Sequence, residues 1–150
     1  MATVYKVLGQ AAPTGTTNVD LYTVPAATST VVSTLNIANL TGTDATFSVY
    51  VRVDGATAAS ANTLLKDVPL AANSLFSATQ GITLGAADVL TVSTATANAL
   101  SFQAFGSEIT DITATAAELN YSDGVTSAIQ AQLDTKAKAG LENNFLLMGA

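Results

Sequence analysis

From Thr3 to Gly106 the chain reads in short runs where apolar and polar residues alternate, the period of a strand with one buried face. In the clearest run Phe47, Val49, Val51 and Val53 alternate with Thr46, Ser48, Tyr50 and Arg52, which predicts an antiparallel strand with its Phe47 face in the core. Further runs predict strands over residues 3–10, 18–24, 29–40, 63–68, 74–79, 88–96 and 99–106. Val31, Leu35 and Ile37 are expected on one face, and Leu100 and Phe102 opposite Ser101 and Gln103. Pro13-Thr14-Gly15, Pro25, Thr41-Gly42-Thr43-Asp44 and Asp54-Gly55 mark turns, Pro69 is expected to end a strand, and Leu84-Gly85-Ala86-Ala87 reads as a connector. Seven or eight short strands so spaced predict a mainly β fold, an antiparallel β-sandwich of jelly-roll or immunoglobulin-like topology. With no Cys and no Trp, any immunoglobulin likeness is architectural only.

The alternation stops between Gly106 and Asp111, which divides the chain into a sandwich domain, 1–108, and a region of linker, short helices and apolar tail, 109–150. Thr115-Ala116-Ala117-Glu118 has the form of a capping box, and Ser127-Ala128-Ile129-Gln130 repeats it after the turn formers Asn120 to Gly124. A short helical turn and then a longer helix are expected. Along the second, Val125, Ile129, Leu133 and Lys136 form a narrow seam. A lone helix of about 12 to 15 residues is marginal in water, because its first turn is costly to nucleate. Its partner is therefore its own domain or the same helix of other subunits, and a narrow seam of Ile and Leu favours a homotrimer. Leu119, Val125, Ile129 and Leu133 are the expected oligomerisation residues. Phe145, Leu146 and Leu147 form an apolar tail, where each large side chain left in water rather than buried costs about 1.5 to 3 kcal/mol. The tail is expected to dock into a neighbouring subunit, and the alternative is a loosely held terminus.

The run ITATAAELNYSDGVTSAIQAQLDTKA, residues 112–137, resembles a segment that recurs in tail-fibre and other fibrous virion proteins of tailed bacteriophages, with the pattern ITATATELNxLDGVTSxIQTQLDxK. Its core is Glu118-Leu119-Asn120, then Asp123 to Ser127, then Ile129-Gln130. Ser122 departs from the pattern, which has an apolar residue there. More loosely, the N-terminal part is similar to small phage virion domains of unassigned role. The resemblance implies a bead linked to a trimeric shaft or to the next bead, hence a fibre-like structural component of a phage tail or neck with other virion proteins as partners. It implies a location in the virion after synthesis in the bacterial host cytoplasm. A capsid decoration or cement protein is the alternative, and a carbohydrate-binding module of a fibre, with Tyr50 or Tyr22 as an exposed platform for a surface glycan, is a third reading.

Composition narrows the chemistry. Charged residues are 11% of the 150, against about 25% in an average soluble domain, while 49% are hydrophobic. Such a surface, solvated by hydroxyls and amides, suits faces covered by copies or partners. A net charge of −6 with five Lys and Arg in all leaves no basic patch for nucleic acid and little attraction to an anionic membrane. No secretory signal and no apolar run of about 18 residues is read in the sequence. The chain has neither His nor Cys, which excludes His-based triads, imidazole metal sites and thiolate chemistry. Its eleven Asp and Glu could form a glycosidase pair, but Asp20, Asp54, Asp67, Asp88 and Asp123 all stand beside turn-like sequence, where backbone reasons favour Asp. No enzyme, catalytic residue, cofactor or metal is therefore expected.

Overall fold

The computed structural model describes residues 2–110, 131 and 133–138. The chain divides into two units, Met1–Asp111 and Ile112–Ala150. Among the described residues the first unit holds nine strands: β1 (Ala2–Ala11), β2 (Val19–Thr23), β3 (Thr28–Asn39), β4 (Ala45–Arg52), β5 (Thr63–Leu70), β6 (Leu75–Ala78), β7 (Ile82–Leu84), β8 (Val89–Thr94) and β9 (Leu100–Thr110). All pairings are antiparallel.

One sheet has the order β1-β9-β3-β6, with β7 also on β3, and the other has the order β2-β8-β4-β5. Leu35 to Ala38 pair with β6 and Thr30 to Val32 with β7, so β6 and β7 are one edge strand broken at residues 79–81. Gly81 there takes a left-handed φ of 63°. Counted as one, they leave eight strand positions in the orders 1-8-3-6 and 2-7-4-5. That is the order of a two-sheet jelly roll, in which every connection except β4 to β5 passes between the sheets. The topology that the sequence left open is thereby decided.

The core lies between the sheets. Phe47 of β4 reaches across to Phe76 of β6, with ring centroids 5.1 Å apart, and to Phe102 of β9, at 6.4 Å. Ile37, Val49, Leu90, Val92 and Leu100 fill the space around them and are fully buried. The face expected for Phe47 and Val49, and that for Leu100 and Phe102, are the buried ones.

Three expectations need correction. Val53 was expected on the buried face, but β4 ends at Arg52 and Val53 opens a turn in which it is 63% exposed. Asp54 and Gly55 follow with left-handed φ values of 49° and 65°. Val31 does not share a face with Leu35 and Ile37, because β3 carries one extra residue at a bulge between Val32 and Thr34 that inverts the alternation. Val32 is buried in its place. Pro69 does not end β5, since it lies within an edge strand opposite Thr46, where a missing N–H is tolerated.

Two glycines lie where backbones come close. Gly106 of β9 pairs with Lys6 of β1 and with Val32 at the edge of the β3 bulge, and a Cβ there would collide with the Val31 carbonyl oxygen and with Leu8 Cδ1. At Gly9 a Cβ would collide with the carbonyl oxygen of Leu21 on the facing sheet. Both mark close backbone approach.

In the second unit residues 131 and 133–138 are helical. Thr135 Oγ1 donates to the Ala131 carbonyl at 2.7 Å, a bond back to the preceding turn.

Candidate functional site

Three of the polar clusters in the first unit bear on a candidate site. The first lies where β9 leaves the sandwich. Glu108 Oε1 accepts from the Tyr22 hydroxyl at 2.7 Å, and both its oxygens accept from Lys6 Nζ at 2.9 Å. The Tyr22 hydroxyl also shares a 2.9 Å bond with Thr30 Oγ1. Register explains the meeting: Thr30 and Val4 both pair with Glu108, so side chains of β1, β9 and β3 share this face, and Tyr22 comes over from β2. Burial pushes the Tyr22 phenol up to about 12, and the Glu108 carboxylate adds to the rise. The hydrogen bonds from Tyr22 and then Lys6 hold the Glu108 carboxyl below its ordinary value. This cluster ties the two sheets together close to Thr110, the last residue of β9.

The second part is the loop end beyond β3. Asn39 is buried, and its Nδ2 donates to the carbonyls of Thr43, Leu70 and Ala71 at 2.8 to 3.1 Å. Its Oδ1 accepts from the Thr41 amide and hydroxyl. One side chain thus closes the Thr41–Asp44 turn and holds it to the end of β5.

The third part is a cleft of about 260 Å³ on the outer face of the second sheet, with Tyr50 and Ser48 of β4, Ser93 of β8, Lys66 and Asp67 of β5, and Asn18 among its lining. Tyr50 faces outward because it pairs with Thr91, one residue along from the inward pair Val49 and Val92. Asp67 sits at a left-handed φ of 46° beside the β5 bulges. Its amide donates to Ser48 Oγ at 3.0 Å, the Ser48 hydroxyl donates to Asp67 Oδ1 at 3.2 Å, and Lys66 Nζ pairs with Oδ2 at 3.0 Å. The hydrogen bond from Lys66, with Ser48 adding to it, holds the Asp67 carboxyl below its ordinary range. Hydroxyls, a carboxylate, an ammonium group and one phenol ring therefore face one opening, a set that can hydrogen-bond a polyhydroxylated ligand.

Of the residues singled out in the sequence, Leu133 is helical and 56% exposed in the single chain. Leu119, Val125, Ile129, Phe145, Leu146 and Leu147 lie outside the described residues. Tyr50 lines the cleft, but Tyr22 is no exposed platform: it is buried, its hydroxyl spent on Glu108 and Thr30. Sequence reasoning missed the Tyr22–Glu108 and Asn39 networks. Asn39 next to a Thr-Gly-Thr-Asp turn was a readable signal; the meeting of residues 86 apart was not.

No protein-family model matches the chain, and no curated protein does. Among solved structures it is similar to a chain in the structure of infectious bursal disease virus Gx strain, at 14% identity and a TM-score of 0.41. The match covers 71% of this chain and 32% of that one, so the chain spans about a third of that neighbour's length.

Proposed function

We propose that the chain is a non-enzymatic structural component of a tailed-phage virion, fibre-like and located at tail or neck, trimerised by the segment after its jelly roll. The observation that carries this is a juxtaposition: β9 runs to Thr110, and the fibre-type run beginning at Ile112 follows at once. The Tyr22–Glu108–Lys6 cluster supports the reading, because it braces the strand from which that segment departs. Leu119, Val125, Ile129 and Leu133 make the seam, and Phe145, Leu146 and Leu147 dock on a neighbouring subunit or another virion protein. Electron microscopy of the parent particle, with antibody raised against this chain, tests the assignment. Label at tail or neck is expected. Label spread over the shell moves the role to capsid decoration, and absence from purified particles contradicts a virion role.

The cleft at Tyr50 favours a second reading, that the bead also binds a glycan. The phenol ring would meet the apolar face of a sugar while Asp67, Ser93 and Asn18 hydrogen-bond its hydroxyls. A glycan array probed with the full chain and with Tyr50→Ala tests it. Hits lost in the variant are expected, and an array without hits removes this reading.

A further inference from the structure

A sheet edge is a row of unpaired backbone N–H and C=O groups, and soluble proteins blunt such edges with charge, proline, bulges or interruption. Three of the four edges of this jelly roll are blunted. Edge β5 carries Lys66, Asp67 and Pro69 and two register shifts against β4. The β6/β7 edge is broken into strands of four and three residues. Edge β2 has only five residues, a register shift after Asp20, and Pro25 close behind it.

The fourth edge, β1, is different. It is ten residues long, has no proline, and among the described residues pairs on one side only, with β9. Ala2 to Val7 are all exposed, including Val4 at 54%, Tyr5 at 84% and Val7 at 46%. Its bulge lies beyond them, between Val7 and Gly9. Its one charge, Lys6, is already paired with Glu108. A long, apolar and electrically satisfied edge is the form that accepts another strand.

We infer that β1 is an interface between copies of this chain, in which Thr3–Val7 of two copies pair antiparallel about a two-fold axis at Tyr5. The sequence is self-complementary in that register. Tyr5 meets Tyr5 of the second copy, Thr3 meets Val7, and Val4 meets Lys6, so no like charges oppose each other although the whole chain carries −6. Residues sharing the outer face with Tyr5 and Val7 include Phe105 and Ile109 of β9, which extends the apolar contact beyond the strand itself. The inference is independent of the trimer: it predicts a factor of two that belongs to β1, whereas the trimer is a factor of three that belongs to the segment after Thr110.

The chain has no cysteine, so single-cysteine variants give a clean test. Facing residues of an antiparallel pair stand about 4.5 to 5.5 Å apart at Cα, within the range of a disulfide. Full-length Tyr5→Cys should form disulfide-linked dimers under mild oxidation. Leu75→Cys, an exposed position on the opposite edge of the same sheet, should not. In sedimentation equilibrium over a concentration series, Tyr5→Lys should halve the subunit number of the wild-type chain, while its far-ultraviolet circular dichroism stays that of the wild type. Equal linking of the two cysteine variants, a subunit number unmoved by Tyr5→Lys, or linking of Tyr5→Cys only to a different protein would overturn the inference.

Discussion

The Tyr22 hydroxyl on one sheet donates to Glu108 Oε1 on the other at 2.7 Å, joining two strands whose sequence separation is 86 residues. A hydrogen bond to a charged group contributes about 1.5 to 3 kcal/mol. Tyr22→Phe should destabilise the first unit by that amount in denaturant unfolding, while Tyr50→Phe changes it little.

Acid stability follows from the same pair. The folded Glu108 carboxyl lies below its ordinary value of 4.5, so the folded state binds this proton less readily than the unfolded one. The contribution is fully present above pH 4.5 and is lost as the pH falls through the lowered folded value. Glu108→Gln should therefore be less stable than wild type at neutral pH and show a shallower loss of stability below pH 4.5.

At the alkaline end the sign is reversed. Tyr22 is raised from 10.0 to about 12, so its contribution is whole below pH 10.0 and disappears as the pH rises through 12. An ultraviolet titration should show an ionisation near pH 12 that is absent in Tyr22→Phe.

Gly106→Ala tests the close approach of β9 to β3. The added methyl meets the Val31 carbonyl and Leu8, and overpacking of this kind costs about 1 to 3 kcal/mol. Gly42→Ala, where a Cβ meets nothing within 4 Å, should stay within about 0.5 kcal/mol of wild type. Equal midpoints for the two variants would refute the packing described at Gly106.

Phe47→Ala removes the ring that touches both Phe76 and Phe102. A fall of about 3 to 5 kcal/mol is expected for a fully buried ring, read from denaturant midpoints.

Much of this fold was legible because a strand with one buried face writes its period directly into the sequence. Phe47 and Val49 alternate with Thr46 and Ser48, and the structure buries the first pair between the sheets. The period fails where the backbone gains a residue. At the Val32/Thr34 bulge the alternation inverts, and nothing in Val31-Val32-Ser33 announces it. Ile82–Leu84 is too short to show a period, and it is a strand only because β3 offers it an edge. Ser48 has a polar side chain on the outward face, yet Asp67 covers it and it is buried. Pairings between distant strands bring Tyr22 to Glu108, and those are set by topology, which local pattern does not encode. Of the candidate sites, Tyr50 could be read from its place in the alternation, whereas the open β1 edge needed the strand order.

Sedimentation equilibrium of the full chain beside a chain ending at Thr110 tests most directly whether identical subunits assemble through the C-terminal segment. A subunit number three times larger for the full chain is expected, and the same number for both would refute assembly through that segment.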